Sequence, residues 1–226
     1  MKHIVKGPEP AELATWKAQW NEATRAPRWE DLSGDVSQAI KRALFAEQGH
    51  LCCYCGRRIV DGDSHIEHLV PRNPATGDPA LTFSWDNLLA SCQANLTRGD
   101  PVHCGIKKGD WYEAALMVSP LGAGCEQRFR HELDGRMGPA AEADRAATET
   151  IRRLDLDGAR LRALRKGAIE GLFAMLDHEL QPEEYQKLAA AYRERDAEGK
   201  FASFCQAVLA ALDFLCASPA RVTGPE

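Results

Sequence analysis

Four cysteines are spaced as they would be in a metal site. Cys52-Cys53-Tyr54-Cys55 contains a C-x-x-C turn, which lets two thiolates reach one tetrahedral zinc ion at about 2.3 Å. Cys92 and Cys104 are the candidates for the second pair, although a long insertion separates them. The alternative is that all four are buried, unligated thiols. We predict a structural Zn²⁺ ligated by Cys52, Cys55, Cys92 and Cys104.

A neighbouring carboxylate and imidazole form a second candidate centre. Glu67 and His68 follow the cysteine turn in an apolar stretch with the composition of a β-strand. A carboxylate can hold a divalent cation such as Mg²⁺ or Mn²⁺, and a histidine can take a proton from water near neutral pH. This pair suits phosphodiester hydrolysis, with Glu67 as the cation ligand and His68 as the general base.

Three further polar residues extend this centre. Asn87 precedes an apolar turn and is predicted to hydrogen-bond the loop that carries His68, which would fix the ring orientation. Lys107 and Lys108 are candidates for contact with nucleic-acid phosphates, although a lysine pair is usually only a solvated face.

Composition restricts the setting of this chemistry. The 226 residues are 44% hydrophobic and 27% charged, and the net charge is −5. An acidic chain does not attract a polyanion, so a nucleic-acid substrate would need a local basic patch or a partner protein. The sequence has no apolar run long enough to span a membrane and no secretory signal, and its cysteines cluster. We therefore expect a cytoplasmic protein without a membrane partner.

Helical patterns on both sides must position the centre. Apolar residues at helical spacing predict a helix from Glu9 to about Asn21, and a second helix that starts at an N-cap on Asp35 and ends at Gly49. The predicted fold class is α+β. Its four predicted parts are an N-terminal helical segment (1–50), a zinc-stabilised core (51–112), a loop or hairpin connection (113–140) and a C-terminal helical unit (141–226).

The C-terminal half has its own predicted elements. An Asp134-Gly135 turn predicts a hairpin between 127–133 and 136–137. Leucines at helical spacing predict one long helix from Leu161 to Leu180, Pro182 begins another, and a last helix carries Phe201 to Leu215.

The motifs occur in an order that resembles the HNH endonuclease superfamily. C-x-x-C is followed by Ile66-Glu67-His68-Leu69-Val70-Pro71, then by Asp86-Asn87-Leu88-Leu89, and then by His103-Cys104 with Lys107-Lys108-Gly109-Asp110. More narrowly, 6–10, 88–92 and 149–156 resemble the retron-associated and Septu-type (PtuB-like) HNH proteins of bacterial antiphage defence, and the similarity extends over nearly the whole chain.

The resemblance implies a fold, an activity and partners. It implies a ββα-metal nuclease core that cuts DNA or, alternatively, an RNA such as tRNA. It also implies that the chain is the effector of a complex with an ABC-type, SMC-like ATPase (PtuA type). A retron reverse transcriptase and its DNA or RNA product are further implied partners.

One position departs from the family pattern. The residue after the last zinc cysteine is usually His, Asn or Asp and serves as a second ligand of the catalytic cation, whereas this chain has Gly105. Three residues are candidates to substitute for it: His103, Asp110 and His65, which lies on the same face of an extended strand as Glu67. We expect His103 to fill the role. If no residue does, Gly105→Asn or Gly105→Asp should lower the cation concentration needed for cutting.

Two other functions compete with a nuclease. A catalytically impaired zinc-binding module could serve only as an interaction subunit of such a complex, with Gly105 marking the decay, but folding alone does not demand Glu67 and His68. A zinc-containing DNA reader would need a basic recognition helix, which the sequence does not offer.

Overall fold

Helices and two small antiparallel sheets make up the fold, as a computed structural model of the chain describes it over residues 1–20, 25–176 and 180–217. The helices are α1 (Ala11–Gln19), α2 (Gly34–Gln48), α3 (Cys104–Lys108), α4 (Arg145–Leu154), α5 (Ala159–Met175), α6 (Pro182–Arg193) and α7 (Cys205–Ala217). The strands are β1 (Ser64–His68), β2 (Leu88–Cys92), β3 (Phe129–His131) and β4 (Met137–Pro139). The mixed α and β class is confirmed.

The N-terminal helices form close to their predicted positions. α1 is shorter than predicted, and Asn21, the predicted end, lies outside the described residues. The predicted N-cap of α2 is wrong: Ser33 caps this helix by accepting a hydrogen bond from the amide of Val36, and Asp35 lies in the first turn. Gly49 ends α2 in the left-handed conformation, as predicted.

Strands β1 and β2 and helix α3 follow one another in the part of the chain that carries the chemistry. β1 pairs antiparallel with β2, so that Glu67 lies opposite Leu89 and His65 opposite Ser91. β2 is completely buried. α3 packs on β2, and α2 packs against both strands. The order is therefore two antiparallel strands followed by a short helix.

The C-terminal half differs from its prediction in three helices, and the last of them, α7, begins at Cys205 rather than at Phe201. The predicted hairpin exists as β3 and β4; β3 is shorter than predicted, and β4 begins one residue later and extends to Pro139. The helix α4 was not predicted as a separate element; it ends at Asp155, whose backbone is left-handed. α5 ends at Met175 rather than at Leu180, and residues 177–179 lie outside the described residues.

The main hydrophobic cluster is continuous across the chain. It joins residues from all four predicted parts, from Leu13 and Ile40 through Leu88 and Met137 to Leu161. A second cluster, around Leu172, Tyr185 and Leu212, lies among α5, α6 and α7. None of the described helices is both long enough and apolar enough to cross a membrane. The division into four parts remains a prediction.

Candidate active site and metal centre

The four predicted cysteines come together in one buried cluster. Cys52, Cys55, Cys92 and Cys104 are all buried, and their sulfur atoms lie within 4.8 Å of one another. The Sγ atoms of Cys55 and Cys92 are 3.9 Å apart. Zinc–sulfur bonds of about 2.3 Å in a tetrahedron place sulfur atoms about 3.8 Å apart. This sulfur cluster therefore fits a structural Zn²⁺ site.

The four cysteines reach the cluster from three elements. Cys52 and Cys55 lie in a tight turn that is closed by hydrogen bonds between the backbones of Cys52 and residues 56–57. Cys92 is the last residue of β2 and Cys104 the first of α3, so the cluster ties strand and helix together. Cys53 is buried in the core beside Cys52, but its sulfur is not one of the four in the cluster.

The pKa values separate Cys52 from Cys53. Burial opposes ionisation of Cys52, but hydrogen bonds with Cys104 and the other nearby thiols outweigh it and hold the pKa of Cys52 well below its ordinary value. Burial raises the pKa of the Cys53 thiol well above its ordinary value. The neighbouring thiols thus favour a thiolate at Cys52, which is the form that binds a metal. Burial also raises the pKa of the cluster residue Cys104, so position and not pKa distinguishes Cys53 from the cluster.

His103 lies beside the sulfur cluster. Its Nδ1 atom is 3.1 Å from Sγ of Cys104 and 3.7 Å from Sγ of Cys92, and the residue is 1% exposed. Its backbone amide donates to the side chain of Gln93. The structure does not bring His103 together with Glu67, so the residue that we expected to complete the catalytic cation site belongs to the surroundings of the cysteines.

An open groove lies on the other side of α3. It has a volume of about 540 Å³ and is bounded by β1, the loop that follows it and α3. The groove collects most of the predicted polar residues: His65, Glu67, His68, Lys108 and Asp110. Gly105 also lines it, directly after the cluster residue Cys104. The groove is the candidate active site.

Three side chains contact the Glu67 carboxylate. Oε1 accepts a hydrogen bond from the Tyr54 hydroxyl at 3.1 Å and lies 2.9 Å from the Lys108 ammonium. Oε2 lies 3.3 Å from Nε2 of His65. Burial alone would raise the pKa of Glu67, but the contacts with His65 and Lys108 outweigh it and hold the pKa below its ordinary value. Glu67 is therefore ionised, as a cation ligand must be.

His68 is held in one tautomer at the end of β1. Its Nε2 atom is 3.0 Å from the carbonyl oxygen of Thr82, and a carbonyl only accepts, so Nε2 carries the proton. Trp29 packs edge-on against the ring, with centroids 4.5 Å apart. Nδ1 makes no hydrogen bond within the described part of the chain and remains a proton acceptor. Burial lowers the pKa of His68 to about 4, so the ring is neutral near pH 7.

This depressed pKa predicts a specific dependence of stability on pH. The ordinary pKa of histidine is 6.5, so between pH 7 and pH 5 the unfolded chain takes up a proton at His68 that the folded protein does not. The free energy of unfolding should therefore fall by about 2 kcal/mol from this group over that interval. Urea denaturation of the wild type and His68→Asn at both pH values measures it. The variant should lose about 2 kcal/mol less than the wild type, because all other groups are common to both; equal losses would contradict the buried neutral ring.

Asn87 joins the two loops beside His68. Its Oδ1 accepts from the amide of Val70 at 2.7 Å, and its Nδ2 donates to the carbonyls of Val70 and Leu81 at 3.0 and 3.1 Å. Val70 follows His68 by two residues, and Leu81 precedes Thr82, whose carbonyl holds the ring. The side chain of Asn87 is fully used in these contacts, which position both sides of His68.

The two lysines have different surroundings. Lys107 is exposed on α3. Lys108 is buried, and its ammonium donates to the carbonyl of His68 at 2.9 Å while pairing with Glu67. Lys108 is therefore a fixed part of the site rather than a free surface contact for phosphate. Asp110 lies at the groove and accepts a hydrogen bond from Asn73 at 2.8 Å.

Four residues of the site were not predicted from the sequence. Tyr54 lies within the cysteine motif, but that motif assigns a function to the cysteines and none to the tyrosine. Trp29 and Thr82 are distant in sequence and carry no motif. Arg72 lines the groove and lies over the Trp29 ring, 5.3 Å from its centroid. Only Arg72 could have been suspected from the sequence, because it directly follows the motif that ends at Pro71.

One of the comparisons with known proteins finds a similar protein. No protein-family model matches the sequence. Over 145 residues the chain is 28% identical to the "Retron Vc95 putative HNH endonuclease" of Vibrio cholerae serotype O1 biovar El Tor, an alignment that covers 62% of this chain and 68% of that protein. This similarity supports the HNH endonuclease family. It also supports a nuclease function and a nucleic-acid substrate at that general level.

Proposed function

We propose that this protein is a metal-dependent HNH endonuclease that hydrolyses phosphodiester bonds in nucleic acid. One observation carries the proposal: a neutral histidine in a fixed tautomer and an ionised glutamate lie side by side in an open groove, at the end of the first strand of a strand–strand–helix unit. In this proposal the unit is a ββα-metal core and the sulfur cluster holds its structural zinc.

The chain's own residues define the steps of the reaction. Nδ1 of His68 accepts the proton of the water that attacks phosphorus, while Thr82 keeps the ring from turning. Glu67 would hold a divalent cation, Mg²⁺ or Mn²⁺, which supplies charge neutralisation at the scissile phosphate and the leaving oxygen. Tyr54 and Lys108 fix Oε1 of Glu67 and leave Oε2 toward the groove. Arg72 and Lys107 are available for phosphate contacts.

The proposed biological setting is based on the sequence resemblance to retron-associated and Septu-type HNH proteins and on the similarity to the Vibrio cholerae retron protein. We propose that the chain is the effector of an antiphage defence complex with an SMC-like ATPase, and that a retron reverse transcriptase and its product belong to the same system. The net charge of −5 favours this reading, because the chain by itself does not attract a polyanion.

Cleavage by the zinc-loaded chain tests the proposal. Supercoiled DNA and tRNA are incubated with Mg²⁺ or Mn²⁺, with and without the ATPase. We expect weak, salt-sensitive cutting by the chain alone and a strong increase with the ATPase, both abolished by removing the divalent cation while zinc stays bound. Absence of cutting under every condition, with zinc present, would instead favour an interaction module.

A further inference from the structure

The presence of glycine at position 105 is related to the side chains around it and not to its backbone conformation. It lies in α3 with ordinary helical geometry, where glycine costs about 1 kcal/mol relative to alanine. A Cβ atom at this position would lie 2.4 Å from Oε2 of Glu67 and 2.7 Å from Nε2 of His65, so these two side-chain ends would have to shift to admit it. The His65 and Glu67 side chains thus occupy the space where a side chain of residue 105 would be.

We propose that His65 is the second protein ligand of the divalent cation at Glu67, in place of a side chain at position 105. This rests on the proposed function and names a part of the same site. The two donor atoms, His65 Nε2 and Glu67 Oε2, are 3.3 Å apart on one face of β1. Adjacent ligands at about 2.1 Å from an octahedral cation are about 3.0 Å apart, so a small shift suffices.

The other candidates for this role are engaged elsewhere. His103 lies against the sulfur atoms of Cys92 and Cys104. Asp110 is hydrogen-bonded to Asn73. The buried Nδ1 atom of His65 has no hydrogen-bond partner within the described residues, so Glu67 is the polar contact that its ring makes there.

The nitrogen donor has a consequence for the choice of cation. Mg²⁺ is bound through oxygen atoms, whereas imidazole is a ligand of first-row transition ions. His65 therefore favours Mn²⁺ over Mg²⁺. Replacing His65 by aspartate supplies an oxygen at the same position and should shift this preference toward Mg²⁺.

Pulsed EPR on Mn²⁺ bound to the zinc-loaded chain tests the proposal directly. The wild type should show nitrogen coupling from a coordinated imidazole. His65→Ala should lose this coupling and bind Mn²⁺ at least about tenfold more weakly, with zinc content unchanged. His68→Ala is the matched control, because it removes the neighbouring imidazole and should keep both the coupling and the affinity. Coupling that persists in His65→Ala, or unchanged affinity, would overturn the proposal.

Three further variants separate this proposal from a purely structural role. Gly105→Ala removes no ligand, but it should weaken Mn²⁺ binding because its methyl group displaces Oε2 of Glu67. Gly105→Asn should not improve Mn²⁺ binding. His65→Asp should lower the ratio of Mn²⁺ to Mg²⁺ affinity by about tenfold or more; an unchanged ratio counts against ligation. A wild type that cuts but shows no nitrogen coupling would remove the His65 proposal and leave the nuclease function standing.

Discussion

Cys55→Ala should release the zinc and unfold the part of the protein that contains the groove. The sulfur cluster joins the turn of residues 52–55, β2 and α3, and structural zinc contributes about 10 kcal/mol or more of apparent binding free energy to folds of this kind. Loss of one thiolate removes that contribution. Zinc content should fall from one ion per chain to none, the thermal unfolding transition should broaden or disappear, and cutting should be lost with it.

Cys53→Ala is the matched control for this prediction. Cys53 lies in the same turn and is equally buried, but its thiol is outside the cluster. This variant should keep one zinc ion, a cooperative transition and cutting, with a loss of about 1–2 kcal/mol from the small cavity. Zinc retained in Cys55→Ala, or lost equally in both variants, would show that the cluster is not the zinc site.

His68→Ala should reduce cutting by about 10²- to 10⁴-fold, the range that a general base contributes. The loss should appear in kcat rather than in KM, because the ring acts on the attacking water and not on binding of the nucleic acid. Zinc content should be unchanged. The free energy of unfolding should fall by about 1–2 kcal/mol, since the variant removes the hydrogen bond to Thr82 and the packing on Trp29.

His131→Ala controls for loss of a buried ring. His131 lies on β3, lines a small internal cavity with Met1 and Arg165, and does not line the groove. It should be destabilised to a similar degree and cut at the wild-type rate. Full activity in His68→Ala would refute the assignment of the base, and an equal loss in both variants would attribute the effect to stability.

The part of the site that could be predicted from the sequence was predicted from short local patterns. The C-x-x-C turn, the adjacent Glu67 and His68 and the apolar stretch of β1 each express a short-range rule, of ligand spacing, of paired chemistry or of strand composition. The helix end at Gly49 is of the same kind. Such features depend on a few neighbouring residues, so they can be read before the fold is known.

Position 105 and its neighbours show what the sequence could not decide. Lys107 and Lys108 are adjacent and identical in type, yet one is exposed and the other is buried against Glu67, because α3 packs on β2 with one face only. The same packing directs His103 to the cysteines and places the side chains of His65 and Glu67 where a Cβ of residue 105 would lie.

The sequence by itself determined which residue types are available for the chemistry: four thiols, one Glu-His pair and the asparagine that follows them. The tertiary structure decided which of them meet. The departure from the family pattern at Gly105 could be recognised from the sequence. The proposed substitute, His65, could not be chosen from it, because the space beside Gly105 depends on how closely the backbone of α3 approaches β1. That distance is set by the packing of buried side chains from separate segments, and no local pattern encodes it.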